Sequence, residues 1–333
     1  MNDKTGLTTL MRLSDADARA FLEASRWPDG PICPHCGVIG EATRVVRHKE
    51  SAKTREGLWN CNACREQFSV TVGTIMEGSH IPLGKWLAAI HIVCSSKKSI
   101  SALQLQRQLE LGSYRTAWHL CHRIRHMLAN AGPLPPLTGI VEADEMYVGG
   151  KPRRHARAPK GNRTTGAQRG RSTEKKTPVQ VLVQRDGGGA RARATIRVTK
   201  EALQPFIREH VAKTAAIHSD EWGGYAGVGK GFDGGHHVVQ HGQGEYARGN
   251  IHSNTAESFN GLFKRSILGS WHHISREHIG RYLDEQCFRW THKDVSDWKR
   301  TERAIAQAGG VRLYYKKPRR QGEQDGARLV AGG

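Results

Sequence analysis

The sequence predicts an α/β protein: a layer built on a mixed sheet, preceded by a small cysteine-clamped ribbon and a compact helical module. Three observations carry that expectation. Two Cys-x-x-Cys pairs stand at 33–36 and 61–64. Helical apolar spacing fills 82–128. Beyond a Pro-rich break at 131–137, alternating runs at 139–148, 177–184, 192–198 and 215–220 interleave with a helical stretch at 200–212, the succession expected of an α/β layer.

The whole chain bounds the answer. Its 333 residues suffice for two or three domains, at roughly 100–200 residues each. Fifty-one Lys and Arg against 31 Asp and Glu give a net charge of +20, which favours a polyanionic partner over a merely solvated surface. The longest nearly apolar run, Trp86 to Cys94, is interrupted by His91 and is too short for a bilayer. No secretory h-region opens the chain, and seven is an odd cysteine count; both favour a reducing, cytoplasmic setting over a disulfide framework.

In order along the chain, residues 13–26 form an amphipathic helix with Ser14 as N-cap and Asp17 three residues on. Cys33, Cys36, Cys61 and Cys64 follow, with 24 residues between the pairs. Each two-residue gap is a knuckle that turns both sulfurs toward one ion, and four thiolates complete the tetrahedron that zinc prefers. A structural zinc, with no open coordination position, is therefore expected; His35 and His48 are alternative nitrogen donors. The run Phe68–Val72 alternates as a strand.

Residues 82–95 predict a buried helix, 99–111 a second and 114–128 a third, with Gly112-Ser113 between the last two. Helix, short turn, basic helix is the helix-turn-helix layout. It makes Tyr114, Arg115, His119 and Arg123 candidates for contact with DNA, although a plain helical hairpin shares the pattern. Residues 151–176 carry ten Lys or Arg and one Glu; that loop, including Arg153 and Arg154, is expected to meet phosphate.

Three acids stand out beyond the linker. Asp144 lies inside the strand 139–148, on the same face as Glu142 and opposite Glu145. Asp220 ends the strand 215–219, and a further short strand begins at His236. Glu257 lies in the first turns of a helix, with Lys264 two turns further on nearly the same face. Gathered together, these carboxylates would hold divalent metal, because hard cations take oxygen ligands. Lys264 would hold a phosphate beside them. Each acid has another reading: Asn254 and Glu257 resemble a capping box, Asp220 suits a turn, and Asp144 could pair with an arginine. Glu142 and Glu221 are rival ligands.

These motifs resemble a known family. Cys33-Pro-His-Cys36-Gly after Arg26-Trp-Pro-Asp-Gly, Cys61-x-x-Cys64, Val141-Glu-Ala-Asp-Glu-Met-Tyr-Val-Gly-Gly-Lys151, His218-Ser-Asp-Glu-Trp-x-x-Tyr225 and Asn254-Thr-Ala-Glu-Ser-Phe-Asn-x-Leu-x-Lys264 are similar to insertion-sequence transposases of the IS1595 type. Trp271-His-His-Ile-Ser and Arg281-Tyr-Leu-Asp-Glu-x-x-Phe-Arg-Trp extend the likeness to about residue 295. The resemblance implies an RNase H-like domain with Asp144, Asp220 and Glu257 as ligands of two Mg²⁺ or Mn²⁺ ions, and Lys264 as the lysine beside them. It implies terminal inverted repeats and target DNA as partners, a homo-oligomer on DNA, no membrane, and a bacterial nucleoid setting. An arginine is expected four residues before the third acid. Ser253 stands there instead, leaving Arg248 or a histidine of 236–252 for that role.

The expected organisation is an N-terminal helix (1–28), a zinc ribbon (29–78), a helical DNA-binding module (79–132), a linker (133–138), the catalytic layer (139–300) and a basic, partly disordered tail (301–333). The expected activity is DNA strand cleavage and transfer. A metal nuclease or resolvase on the same fold, or a regulator that binds DNA without cutting it, are the alternatives.

Overall fold

A computed structural model describes residues 5–46, 56–130, 132, 134–149, 176–240, 242, 244 and 247–315. The N-terminal half begins with helices α1 (Leu7–Met11) and α2 (Asp15–Arg26). Ser14 caps α2 as its sequence indicates, its Oγ accepting from the Asp17 N–H at 3.1 Å. A three-stranded antiparallel ribbon follows, made of β1 (Ala42–Arg44), β2 (Trp59–Cys61) and β3 (Gln67–Phe68). The strand expected over Phe68–Val72 is replaced by turns beyond Phe68. The buried Thr74 hydroxyl donates to the Thr71 carbonyl and accepts from the Met76 N–H, and these local bonds compete with a sheet ladder.

Helix α3 (Leu83–Ser95) is buried on nearly all sides, as a helix without a polar face must be. Around it pack α1, α2, α5 (Tyr114–Leu128) and a C-terminal helix α9 (Asp297–Ala306). Helix α4 (Ala102–Gln108) precedes α5, and serines 101 and 113 cap the two locally. One hydrophobic core thus unites the N-terminal helices, the ribbon, the helical module and α9. Residues 301–306, expected to begin a tail, complete α9 instead; Trp298, Ala304 and Ile305 are buried against the N-terminal half. The rest of the expected tail, beyond residue 315, lies outside the described residues.

The second half is a five-stranded mixed sheet in the order β6-β5-β4-β7-β8. Strands β4 (Ile140–Val148) and β5 (Thr177–Gln184) pair antiparallel, as do β5 and β6 (Ala190–Ala194). Strand β7 (Ala216–Asp220) runs parallel to β4, and β8 (His236–Val239) parallel to β7. Strand β6 begins and ends earlier than the expected 192–198 because the hairpin turn is tight. Asp186 and Gly187 both take positive φ, 55° and 77°, the backbone of a two-residue hairpin that favours Asp-Gly. Arg185 is thereby fixed at the corner.

Helix α6 (Lys200–His210) covers one face of the sheet, where Val141, Ala143, Leu182 and Ile217 point. Helices α7 (Asn254–Ser266) and α8 (Ile279–Thr291) cover the other, where Met146, Val148, Val179, Val181 and Val183 point. Alternation along β4 therefore turns Glu142 and Asp144 toward α7 and Glu145 toward α6. Glu145 accepts from the Tyr225 hydroxyl at 2.9 Å. The halves are joined by buried charge: Arg125 of α5 pairs with Glu285 of α8 at 2.7 Å. Arg289 of α8 donates to the carbonyls of Ser96 and Lys97, just past α3.

Candidate functional site

The four ribbon cysteines form a site by themselves. Their sulfurs all lie within 4.8 Å of one another, with Cys33–Cys64 at 3.7 Å and Cys36–Cys61 at 3.6 Å. A tetrahedron of metal–sulfur bonds near 2.3 Å has edges of about 3.8 Å, whereas a disulfide needs about 2.05 Å. The geometry suits a tetrahedral ion and not a bridge. The backbone N–H of Cys64 holds the Cys61 thiol down at about 7, while burial and the neighbouring sulfurs hold Cys36 and Cys64 up, so a metal bound by all four must displace protons. Trp27 packs edge-on against both Trp59 and Phe68 beneath the ribbon, and Trp59 Nε1 donates to Glu23 of α2 at 3.1 Å.

The carboxylates gather where β4, β7 and α7 meet. The parallel register pairs Glu142 with His218. Two residues further along both strands, Asp144 and Asp220 stand at matching positions. Asp220 Oδ1 accepts from the Trp222 N–H at 3.0 Å, an Asx turn that holds the carboxylate still. Asp144 Oδ1 accepts from the Glu145 N–H, and Oδ2 from Asn260 Nδ2 at 2.8 Å. Asn260, three residues after Glu257 on α7, escaped the sequence reading; an asparagine beside an aspartate across an element has no local signature.

Burial pushes the Asp144 carboxyl up to about 6, and the charges of Asp220 and Glu257 push the same way. Asp144 therefore senses both of the other acids. They are not drawn as tightly as the cysteines: their oxygens do not all fall within 4.8 Å of one another. Glu257 is exposed, as is Lys264 two turns along the same helix. All donors here are oxygen, and the buried Asn260 Oδ1 has no protein partner. The group fits a hard divalent cation, which would relieve the crowded negative charge.

Both rival ligands are otherwise engaged. Glu221 accepts from the Gly242 N–H at 2.9 Å. Glu142 is fully buried, and its oxygens accept from Arg185, from the N–H groups of Thr255 and Ala256 and from the Thr255 hydroxyl. It caps α7 from the sheet. The capping-box reading of Asn254 and Glu257 is not what forms: the N-cap is Ser253, without a side-chain cap bond. Arg248 reaches the Val238 carbonyl. The arginine beside His252 is Arg185.

On α5 the expected DNA-facing residues divide. Tyr114 and Arg115 are exposed on the first turn. His119 is half-buried with its ring edge-on to Tyr315. Arg123 is a correction: it is buried, donates to the Glu77 carbonyl at 2.6 Å and lies over the Trp86 ring. Its charge holds the module together instead of facing a groove. Arg115→Ala is expected to weaken DNA binding evenly across sequences and reduce the salt slope by about 1. Arg123→Ala is expected to lower stability by about 2 kcal/mol with the slope unchanged. Salt titrations and thermal melts of the two variants check this. Arg153 and Arg154 lie outside the described residues.

Comparison with known proteins gives consistent matches. Residues 136–291 match the profile of the ISXO2-like transposase domain, and residues 13–67 that of a transposase zinc-ribbon domain. A protein of the transposable element ISH50 from Halobacterium salinarum is 29% identical over 275 residues, covering 81% of this chain and 89% of that protein. Among the described residues, no helix is long and apolar enough to cross a membrane.

Proposed function

We propose that the chain, whose residues 136–291 and 13–67 match an ISXO2-like transposase domain and a transposase zinc ribbon, is a transposase of that family that binds the ends of an insertion sequence and catalyses metal-dependent strand cleavage and transfer. The observation that carries this reading is that Asp144, inside β4, and Asp220, at the end of β7, stand at matching positions on paired parallel strands, with Glu257 on α7 near enough to act on the Asp144 carboxyl. The sheet order, with β5 antiparallel between β4 and β6, supports an RNase H-like domain.

Two Mg²⁺ or Mn²⁺ ions, when bound, would supply the charge that phosphodiester chemistry needs at the attacking and leaving oxygens. Asp144, oriented by Asn260, is placed to be the central ligand, with Asp220 and Glu257 as the flanking ones. Lys264, on the exposed face of α7, holds a phosphate of the bound strand beside them. The first turn of α5, with Tyr114 and Arg115, contacts the element end. The four cysteines hold structural zinc and keep the ribbon folded against α2. The protein acts as a homo-oligomer on paired ends.

A strand-transfer assay tests the reading. Purified protein, a duplex carrying the element end and a second target duplex are mixed in Mg²⁺. The expected products are a freed 3′-hydroxyl at the element end and its joining to the target. Nicking without joining would leave a nuclease; end binding without nicking would leave a regulator.

A further inference from the structure

We infer that Arg185 and Glu142 are positioning residues: together they set where α7 starts, and so where Glu257 stands relative to Asp144. The inference rests on the proposed role of Glu257 as a metal ligand and adds what holds it in place.

Helices α2, α4, α5 and α9 take their caps from a neighbouring serine. Helix α7 does not. Its first free N–H groups, on Thr255 and Ala256, donate to Glu142 Oε2 at 2.7 and 2.9 Å, and the Thr255 hydroxyl donates to Oε1 at 3.0 Å. Glu142 sits on β4, two residues before Asp144 and on the same face. One strand residue thus ties the helix of the third acid to the strand of the first. A cap anchored in a sheet moves only with the sheet.

Arg185 completes the device. Its backbone N–H donates to the Ile140 carbonyl, and the Asp186-Gly187 turn fixes its direction. Its Nε donates to Glu142 Oε1. One terminal nitrogen donates to the carbonyl and side-chain oxygens of Asn250 at 2.7 and 2.8 Å. The other donates to the His252 carbonyl at 2.8 Å and faces the Nδ1 atoms of His252 and His218. The guanidinium therefore grips the segment entering α7 while neutralising the carboxylate that caps it. A lysine at this place cannot do both, because a point ammonium lacks the planar fork.

Arg185→Lys is the test, on zinc-loaded protein. Mn²⁺ binding followed by electron paramagnetic resonance, and the Mg²⁺ dependence of strand cleavage, are compared with the parent. The half-saturating metal concentration is expected to rise about 10-fold or more, the size of effect seen when partners that orient metal ligands are removed. Cleavage at saturating metal is expected to recover, and a purely structural loss would not restore it. Unchanged metal dependence in a folded variant overturns the inference, as does cleavage lost at every metal concentration with Mn²⁺ binding unmoved. Should Arg185→Lys not fold, Asn250→Ala, which removes one side-chain acceptor at an exposed position, is expected to shift metal binding in the same direction, and no shift overturns the inference. Glu257→Gln separates the two levels. If that variant keeps full Mn²⁺ binding and cleavage, the ligand assignment fails and the inference falls with it. If it loses both while Arg185→Lys is unaffected, only the inference fails.

Discussion

Asp144→Asn is expected to abolish strand cleavage and, at the same time, to stabilise the metal-free protein. The two effects have one cause. The Asp144 carboxyl is raised from 3.8 to about 6 by burial and by its acidic neighbours. A group raised on folding binds its proton more tightly in the native state, so stability falls as pH increases through that range. The native state bears no penalty below pH 3.8, an increasing one up to about pH 6, and the full one above. At neutral pH the ionised carboxylate costs up to about 3 kcal/mol, taking 1.36 kcal/mol per unit. The neutral amide escapes that cost, and its single oxygen keeps one of the two bonds, from the Glu145 N–H or from Asn260, so the net gain is smaller than the full penalty. Thermal melts in chelator at pH 8 should show the variant more stable than the parent, with the gain vanishing toward pH 4. Added Mg²⁺ should narrow the gap by favouring the parent. A variant that is less stable at pH 8 in chelator would show that Asp144 is a structural group and not an acid held in place for a cation.

Zinc removal is the second large effect. The ribbon has only three short strands, and its buried apolar side chains lie chiefly around Trp27, Trp59 and Phe68. So small a unit depends on its ion, and apparent binding energies for structural zinc run to about 10–16 kcal/mol at neutral pH. The expected stoichiometry is one zinc per chain by elemental analysis. Cys33→Ser or a strong chelator should separate β1–β3 and change tryptophan fluorescence as Trp27 and Trp59 lose their neighbours. The sheet should stay folded, since its two cores lie apart from the ribbon. Retention of the native fluorescence without zinc would refute a structural role for the ion.

The same contrast between local and distant causes explains what could be read beforehand. Period-two alternation is a backbone property, so the opposed faces of Asp144 and Glu145 were legible from β4 alone. Serine caps work within three residues, and Ser14 behaves as its neighbours indicate. Helix α9 has no clear sequence signature because Lys299, Arg300, Glu302 and Arg303 surround its apolar stripe; the surfaces of α3 and α2 make that stripe a buried face. Arg123 was misread because an arginine on a basic helix suggests phosphate, and nothing nearby in the chain announces the Trp86 ring and the Glu77 carbonyl.

Local patterning by itself determined the cysteine knuckles, the strand faces, most helix limits and the basic character of the molecule. Each depends on residues close together in the chain or on a simple count. Only the tertiary structure decided which acids act on Asp144, and that Glu142 caps α7. Those outcomes hang on the register of β4 against β7 and on hydrogen bonds between residues 142, 185 and 255. Contacts across such distances form only when the whole sheet does.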